Sequence, residues 1–131
     1  MTKLIDENNI ELLLKNAEII QDLDLTYYII CDVSIEHRTF KNCSFDCCLL
    51  DNVTFNNLKF YNCKFINSDI ANINIEFKVE FIHTFFSHTH ISYEEIKKAI
   101  THNCDFSSAI CTDSEDYVID LSEVEKMGVI L

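Results

Sequence analysis

Three histidines crowd into the stretch HTFFSHTH, as His83, His88 and His90. Imidazoles gathered by one turn are suited to zinc or a similar ion. Further on, His102 and Cys104 lie two residues apart beside Asp105. A thiol with an imidazole base is a recognised arrangement for nucleophilic catalysis. From Asp105 to Glu125 the chain then carries Asp105, Asp113, Glu115, Asp116, Asp120, Glu123 and Glu125, with no Lys or Arg among them. Such a run makes or breaks no bonds, but it is suited to a basic partner surface.

What positions these residues is a repeat. In FKNCSFDCCLLDNVTFNNLKFYNCKF, residues 40–65, a large apolar group recurs every fifth position: Phe40, Phe45, Leu50, Phe55, Phe60, Phe65. A helix wants a period near 3.6 and a strand one of 2, so neither alone explains it. The frame extends from Leu25 to Ile75, slips by one residue near Lys78, and resumes with Phe81, Phe86 and Ile91. A second column two residues earlier is mostly small or apolar, including Val33, Cys43, Cys48, Val53 and Cys63, with Arg38 the misfit. Fourteen such units cover residues 23–93. Short fixed periods of this kind mark solenoids.

The units CSFDC, CKFIN, SDIAN and CDFSS carry a resemblance to the pentapeptide-repeat family. That resemblance implies an all-β solenoid, a right-handed quadrilateral β-helix with four units per coil and one per face. It also implies a mode of action, because some relatives imitate duplex DNA and occupy DNA-binding enzymes such as topoisomerases. Bulky Tyr28, Leu58 and Ile73 in the usually small column mark a divergent, short member.

With four units per coil, residues 20 apart stack at about 4.8 Å. Leu25, Phe45 and Phe65 then form one ladder, Ile30, Leu50 and Ile70 another, and Ile35, Phe55 and Ile75 a third. Cys43 stacks on Cys63. Three and a half coils make a body about 17 Å tall. The position two after each centre reads Asn42, Cys47, Asn52, Asn57, Asn62, Asn67, Asn72. Asparagine tolerates turn dihedrals, which makes these corners.

The frame recasts the chemistry. His83 and His88 become corner residues on different faces, so no metal is expected. Cys104 falls in the small inward column, where apolar burial raises a thiol pKa rather than lowering it. Cys43, Cys48 and Cys63 share that column, whereas Cys31 and Cys47 project outward. Arg38 either reaches water along its aliphatic stem or pairs with an acid such as Asp32 or Glu36.

Two helices are expected at the ends of the repeat. Residues 8–20 carry Ile10, Leu13, Leu14 and Ala17 on one side, with Asn8 and Glu11 spaced as a capping box; an N-terminal cap within 1–22 follows. Ser92 and Glu95 form a second box, opening a helix near 92–102 that leaves the coil before CDFSS returns to it. Residues 94–131 would comprise that helix, the short return and the acidic segment. One domain over 1–131 is expected.

The net charge of −12 argues against direct binding to nucleic acid or an anionic membrane, since both need excess Lys and Arg. No apolar run approaches the length of a membrane span. Seven cysteines without an export-like N-terminus suit reduced thiols and a cytoplasmic setting. The expected function is non-enzymatic: an inhibitor or adaptor that occupies a protein partner, such as a nucleic-acid-handling enzyme, through an acidic surface, without cofactors. The alternatives are a structural module that dimerises through its C-terminal region, and a Cys/His enzyme using His102 and Cys104.

Overall fold

The structure, a computed structural model, describes residues 3–111. It is a parallel-strand β-solenoid of about five turns. Strands β1 (Lys3–Ile5) and β2 (Ile19–Gln21) belong to the first coil. Three long strands follow: β3 (Tyr28–Lys41), β4 (Leu49–Tyr61) and β5 (Asp69–Ile82). The short strands β6 (His90–Ile91), β7 (Ile100–His102) and β8 (Ile110–Cys111) follow in the stack. Pairs such as Phe40 with Phe60 and Val33 with Val53 are 20 residues apart, as four units per coil require.

Four inward ladders result. The first face stacks Phe45 on Phe65, Phe65 on Phe86 and Phe86 on Phe106, with centroids 4.7, 5.3 and 4.6 Å apart and rings nearly parallel. The second runs through Ile5, Ile30, Leu50, Ile70, Ile91 and Cys111, and the third through Ile35, Phe55, Ile75 and Ile96. The fourth runs from Ile20 through Phe40, Phe60 and Phe81 to Thr101. Rings on the first and fourth faces also meet edge-on, as Phe60 and Phe65 do at 5.6 Å. One continuous core is therefore shared by all coils, which no single coil could bury.

The corners account for the asparagines expected there except Asn72, which is not left-handed and sits at a register irregularity between β4 and β5. Left-handed backbone recurs at Asp22, Tyr27, Asp32, His37, Asn42, Cys47, Asn52, Asn57, Asn62 and Asn67, then at Lys78, His83, His88, Asn103 and Ser108. Each stands at a coil corner, where the backbone must turn between faces. Asn, Asp and His meet that demand at lower cost than branched residues.

The inward small column has its own logic. On the first two faces most of its members are hydrogen donors aimed at the preceding coil: Cys48 Sγ donates to the Leu25 carbonyl at 2.8 Å and Cys63 Sγ to that of Phe40 at 3.4 Å. Ser68 Oγ donates to Phe45 O, Thr89 Oγ1 to Phe65 O and Cys104 Sγ to Phe81 O. On the third and fourth faces the same column is apolar at Val33, Val53 and Ile73, then Leu58 and Val79, with Arg38 the exception.

The solenoid extends beyond residues 23–93 in both directions. The expected helix over 8–20 is only five residues, α1 (Ile10–Leu14). Its N-cap is Asn9, whose side chain accepts from Asp6 N at 2.8 Å and donates to Leu4 O at 2.9 Å rather than capping. The chain leaves the helix through left-handed Lys15 and Asn16. It stops there because Ile19 and Ile20 are claimed by the ladder, opposite Thr39 and Phe40. Ile5, Ile10, Leu14 and Ile20 are all buried, but at intervals of five, four and six residues, and the first coil spends fifteen residues from Ile5 to Ile20 where the next spends ten from Ile30 to Phe40.

The second expected helix is likewise short, α2 (Tyr93–Ile96), and stays within the coil. Ser92 Oγ accepts from Glu95 N, as its box predicts, but the Glu95 carboxylate reaches the Ile75 amide at 2.7 Å. That carboxylate replaces the strand carbonyl a full coil would supply. Ile91, Ile96, Thr101, Phe106 and Cys111 keep the five-residue beat unbroken.

The slip near Lys78 is a bulge. Phe55 opposes Ile75 whereas Asn56 opposes Phe77, so β5 holds one extra residue. Phe77 is left 63% exposed and Lys78 takes the left-handed corner.

Candidate functional site

The register sorts charges that look mixed along the chain. Outward on the first face stand Asp24, Ser44, Lys64, Phe85 and Asp105 in one row, with Asp46 beside Ser44. On the second face and its far corner stand Asp32, Asp51 and Asp69. Among the described residues these two faces present Asp6 and six further aspartates against Lys3 and Lys64. Arg38, Lys41, Lys59 and Lys78 instead gather on the fourth face and its corner with the third, together with Glu18 and Glu80.

Each of these seven carboxylates is held by a hydrogen bond, that of Asp6 by the Asn8 amide. Asp24 Oδ1 accepts from Thr26 N at 3.0 Å and Thr26 Oγ1 at 2.6 Å. Asp105 repeats this with the Ser107 amide, at 2.8 Å, and hydroxyl. Asp69 Oδ1 accepts from Ala71 N at 3.1 Å, and also lies 3.5 Å from His90 Nδ1. Between coils, Ile66 N donates to Asp46 Oδ1 at 2.9 Å, Asn52 Nδ2 to Asp32 Oδ1 at 2.9 Å, and Asn72 Nδ2 to Asp51 Oδ1. Hydrogen bonding to the charged form lowers a carboxyl pKa. Asp24, through Thr26, and Asp105, through Ser107, both lie below the ordinary 3.8 for this reason. The array thus carries fixed negative charge, with little side-chain freedom left to lose on binding.

Of the acids singled out in sequence, Asp105 is part of this array, on the last described coil of the first face. Asp113, Glu115, Asp116, Asp120, Glu123 and Glu125 lie outside the described residues, as does the C-terminal end expected to mediate dimerisation. Sequence reading missed Asp24, Asp32, Asp46, Asp51 and Asp69. Their signal was available in the 20-residue stacking rule, applied to outward positions as well as to the core.

His83 and His88 are left-handed corners, with φ of 48° and 56°, and His90 lies in β6. Among the described residues no group of three or more His, Cys, Asp or Glu side chains could hold a metal ion. Cys104 is buried, its thiol donates to the Phe81 carbonyl at 3.3 Å, and burial pushes its pKa up. His102 is exposed in β7 and Asp105 is engaged by Ser107. Cys48 is pushed up to about 11 by burial, and Cys63 is raised by the adjacent Cys43 thiol and by burial. Cys31 and Cys47 are half-buried.

Arg38 pairs with neither Asp32 nor Glu36. Its Nη2 reaches Glu11 at 2.9 and 3.1 Å and its Nη1 donates to the Ala17 carbonyl at 2.8 Å. The inward column opens at this corner because α1 replaces a strand below it, and the guanidinium fills the gap. A polar hollow of about 400 Å³ flanks it, lined by Glu18, His37, Arg38, Lys59, Lys78 and Glu80 among others. Lys59 and Glu80 span that hollow at 3.8 Å.

No protein-family model matches the chain, and no curated protein matches it. Among solved structures, a trypsin-treated form of QnrB1, a plasmid-mediated fluoroquinolone resistance protein, aligns over 88% of this chain and 98% of its own. The identity is 8% and the TM-score 0.19. Among the described residues no helix is long and apolar enough to cross a membrane.

Proposed function

We propose that the chain is a divergent pentapeptide-repeat protein and a non-enzymatic binding module. It acts as an inhibitor or adaptor by presenting the aspartate-bearing first and second faces to a basic surface of a protein partner. The observation that supports this reading is the sided array: seven hydrogen-bonded aspartates against Lys3 and Lys64. A rise of about 4.8 Å per coil sets these carboxylates out at regular steps along a rigid rod. Fixed charge of one sign steers association with an oppositely charged surface and weakens with salt. A surface that binds DNA is basic, so a DNA-handling enzyme is the partner class that fits.

The test is a gyrase supercoiling assay with micromolar protein, run beside the triple variant Asp46→Asn, Asp51→Asn, Asp69→Asn. Inhibition by the parent, reduced at least tenfold in the variant and by raised salt, is expected. No inhibition by the parent would remove DNA-enzyme occupation, and equal inhibition by both would remove the aspartate faces as the contact.

A further inference from the structure

One outward row of the second face runs Leu4, Ile29, Leu49, Asp69, His90 and Ile110, each opposite the next in the strand register. Its first three members are apolar. Leu4 is 54% and Leu49 38% exposed, with Ile29 half-buried between them. Other exposed apolar side chains in the rows stand singly: Ile19 lies opposite Thr39, Phe77 opposite Asn56, Phe85 between Lys64 and Asp105, Ile100 opposite Glu80 and Ile110 opposite His90. A hollow of about 320 Å³ adjoins Ile29 and Leu49, walled by Tyr27, Cys47, Asn67 and Asp69, the last being the charged member of its lining.

The structure also sets the charge around this stripe. Two residues further along each strand stand Asp6, Cys31 and Asp51, with Asp32 at the corner beyond. Burial, then the carboxylates of Asp32, Asp6 and Asp51, pushes the Cys31 thiol pKa up, which marks the negative field between them. On the other side, Asp46 stands across the corner at Cys47, and Asp69 continues the row past Leu49. Lys3, beside Leu4, lies over the Tyr28 ring at 5.4 Å.

We propose that the stripe of Leu4, Ile29 and Leu49 is the docking site for an amphipathic helix of a protein partner, one whose apolar side is flanked by lysine or arginine. Leu4 and Leu49 are two coil steps apart, about 9.6 Å. Seven helical residues, which bring apolar positions i, i+4 and i+7 to one side, rise about 10.5 Å. A helix lying along the solenoid axis therefore sets one turn on each rung, with its flanking cations over the acidic row about 7 Å to the side. An extended segment repeats on one side every 6.6 Å or so, out of step with the rungs. An acidic helix, or the same face of a second copy, is opposed by the bordering carboxylates. The stripe lies within the aspartate faces, so the inference rests on reading those faces as the contact surface.

The probe is a labelled helical peptide of leucine, lysine and alanine, with leucine along one stripe and lysine on its flanks, beside a control carrying glutamate for lysine. Fluorescence anisotropy is read on the full chain. Binding of the lysine peptide at least tenfold tighter than the control is expected. Leu4→Gln with Leu49→Gln, and separately Asp51→Asn with Asp69→Asn, should each weaken it at least tenfold with the thermal midpoint unchanged. Phe85→Gln, at an exposed apolar position outside the stripe, should leave it within twofold. No binding to the parent, or full binding to the Leu4→Gln, Leu49→Gln protein, overturns the site. Gyrase inhibition by the parent without peptide binding would overturn the stripe and leave the aspartate faces standing. Peptide binding that depends on both pairs, without gyrase inhibition, would uphold the stripe and remove only the DNA-handling partner. A dimer by light scattering that Leu4→Gln with Leu49→Gln returns to monomer would assign the stripe to a second copy and overturn the helix.

Discussion

The central coils keep a five-residue beat that the first coil only approximates. From Tyr28 to Ile82 the beat yields strands of 13 or 14 residues, corners that turn at nearly every fifth residue, and phenylalanine rungs buried to 1% or less at Phe40, Phe55, Phe60, Phe65 and Phe81. Between Lys3 and Gln21 it yields two three-residue strands around a five-residue helix, with Ile and Leu in the core and Leu4, Leu12 and Ile19 outside. A periodic core therefore guarantees a place in the stack, but not a finished surface. The central coils are a rigid support on which charge is displayed; the first coil is an end that still offers edge and apolar area.

The largest test of this contrast is Phe60→Ala set beside Leu12→Ala. Phe60 meets Phe40 at 5.1 Å and Phe81 at 5.0 Å, and also touches Phe45, Phe55 and Phe65. Its loss should cost about 3–5 kcal/mol by urea unfolding, as for other buried aromatics. Leu12→Ala should stay within about 0.5 kcal/mol, as surface changes do. Similar costs for the two would erase the distinction.

Next in size is Arg38, which ties the two regions together. Arg38→Ala removes the bonds to the Ala17 carbonyl and to Glu11, and should cost about 2 kcal/mol, the scale of hydrogen bonds from a charged group. Hydrogen exchange should accelerate over residues 10–21 and not over β4. Uniform acceleration along the chain would mean that the first coil is not a separable unit.

The smallest effect belongs to the displayed charge. Ser107 holds the Asp105 pKa below 3.8, so Asp105 contributes stability well above that pH and loses it as pH falls through the lower folded midpoint. A carboxyl titration by NMR should find the Asp105 midpoint under 3.8, returning toward it in Ser107→Ala. An unchanged midpoint in the variant would deny that Ser107 fixes this carboxylate.

Much of this was legible because a repeat is local. Any five residues around Phe45 or Phe60 reveal which side chain points inward, and Asn at every fifth position declares a corner. The slip near Lys78 was visible for the same reason. The ends were harder to read. Asn8 with Glu11 satisfies a capping pattern, yet the ladder claims Ile19 and Ile20 before a long helix can form. The partner of Arg38 lies 27 residues away, in a coil that sequence reading had assigned to a cap.

By itself, then, the sequence determined the solenoid: a fixed apolar period admits few ways to bury every fifth residue at once, and stacking 20 apart is one that does. Only the tertiary structure decided which charges share a side. Asp24 and Asp105 are 81 positions apart in the chain and stand in one row, because an outward residue is placed by coil number and register rather than by its neighbours in sequence. It also decided where the stack ends in an open edge, since pairing is a property of two strands and no single segment records it.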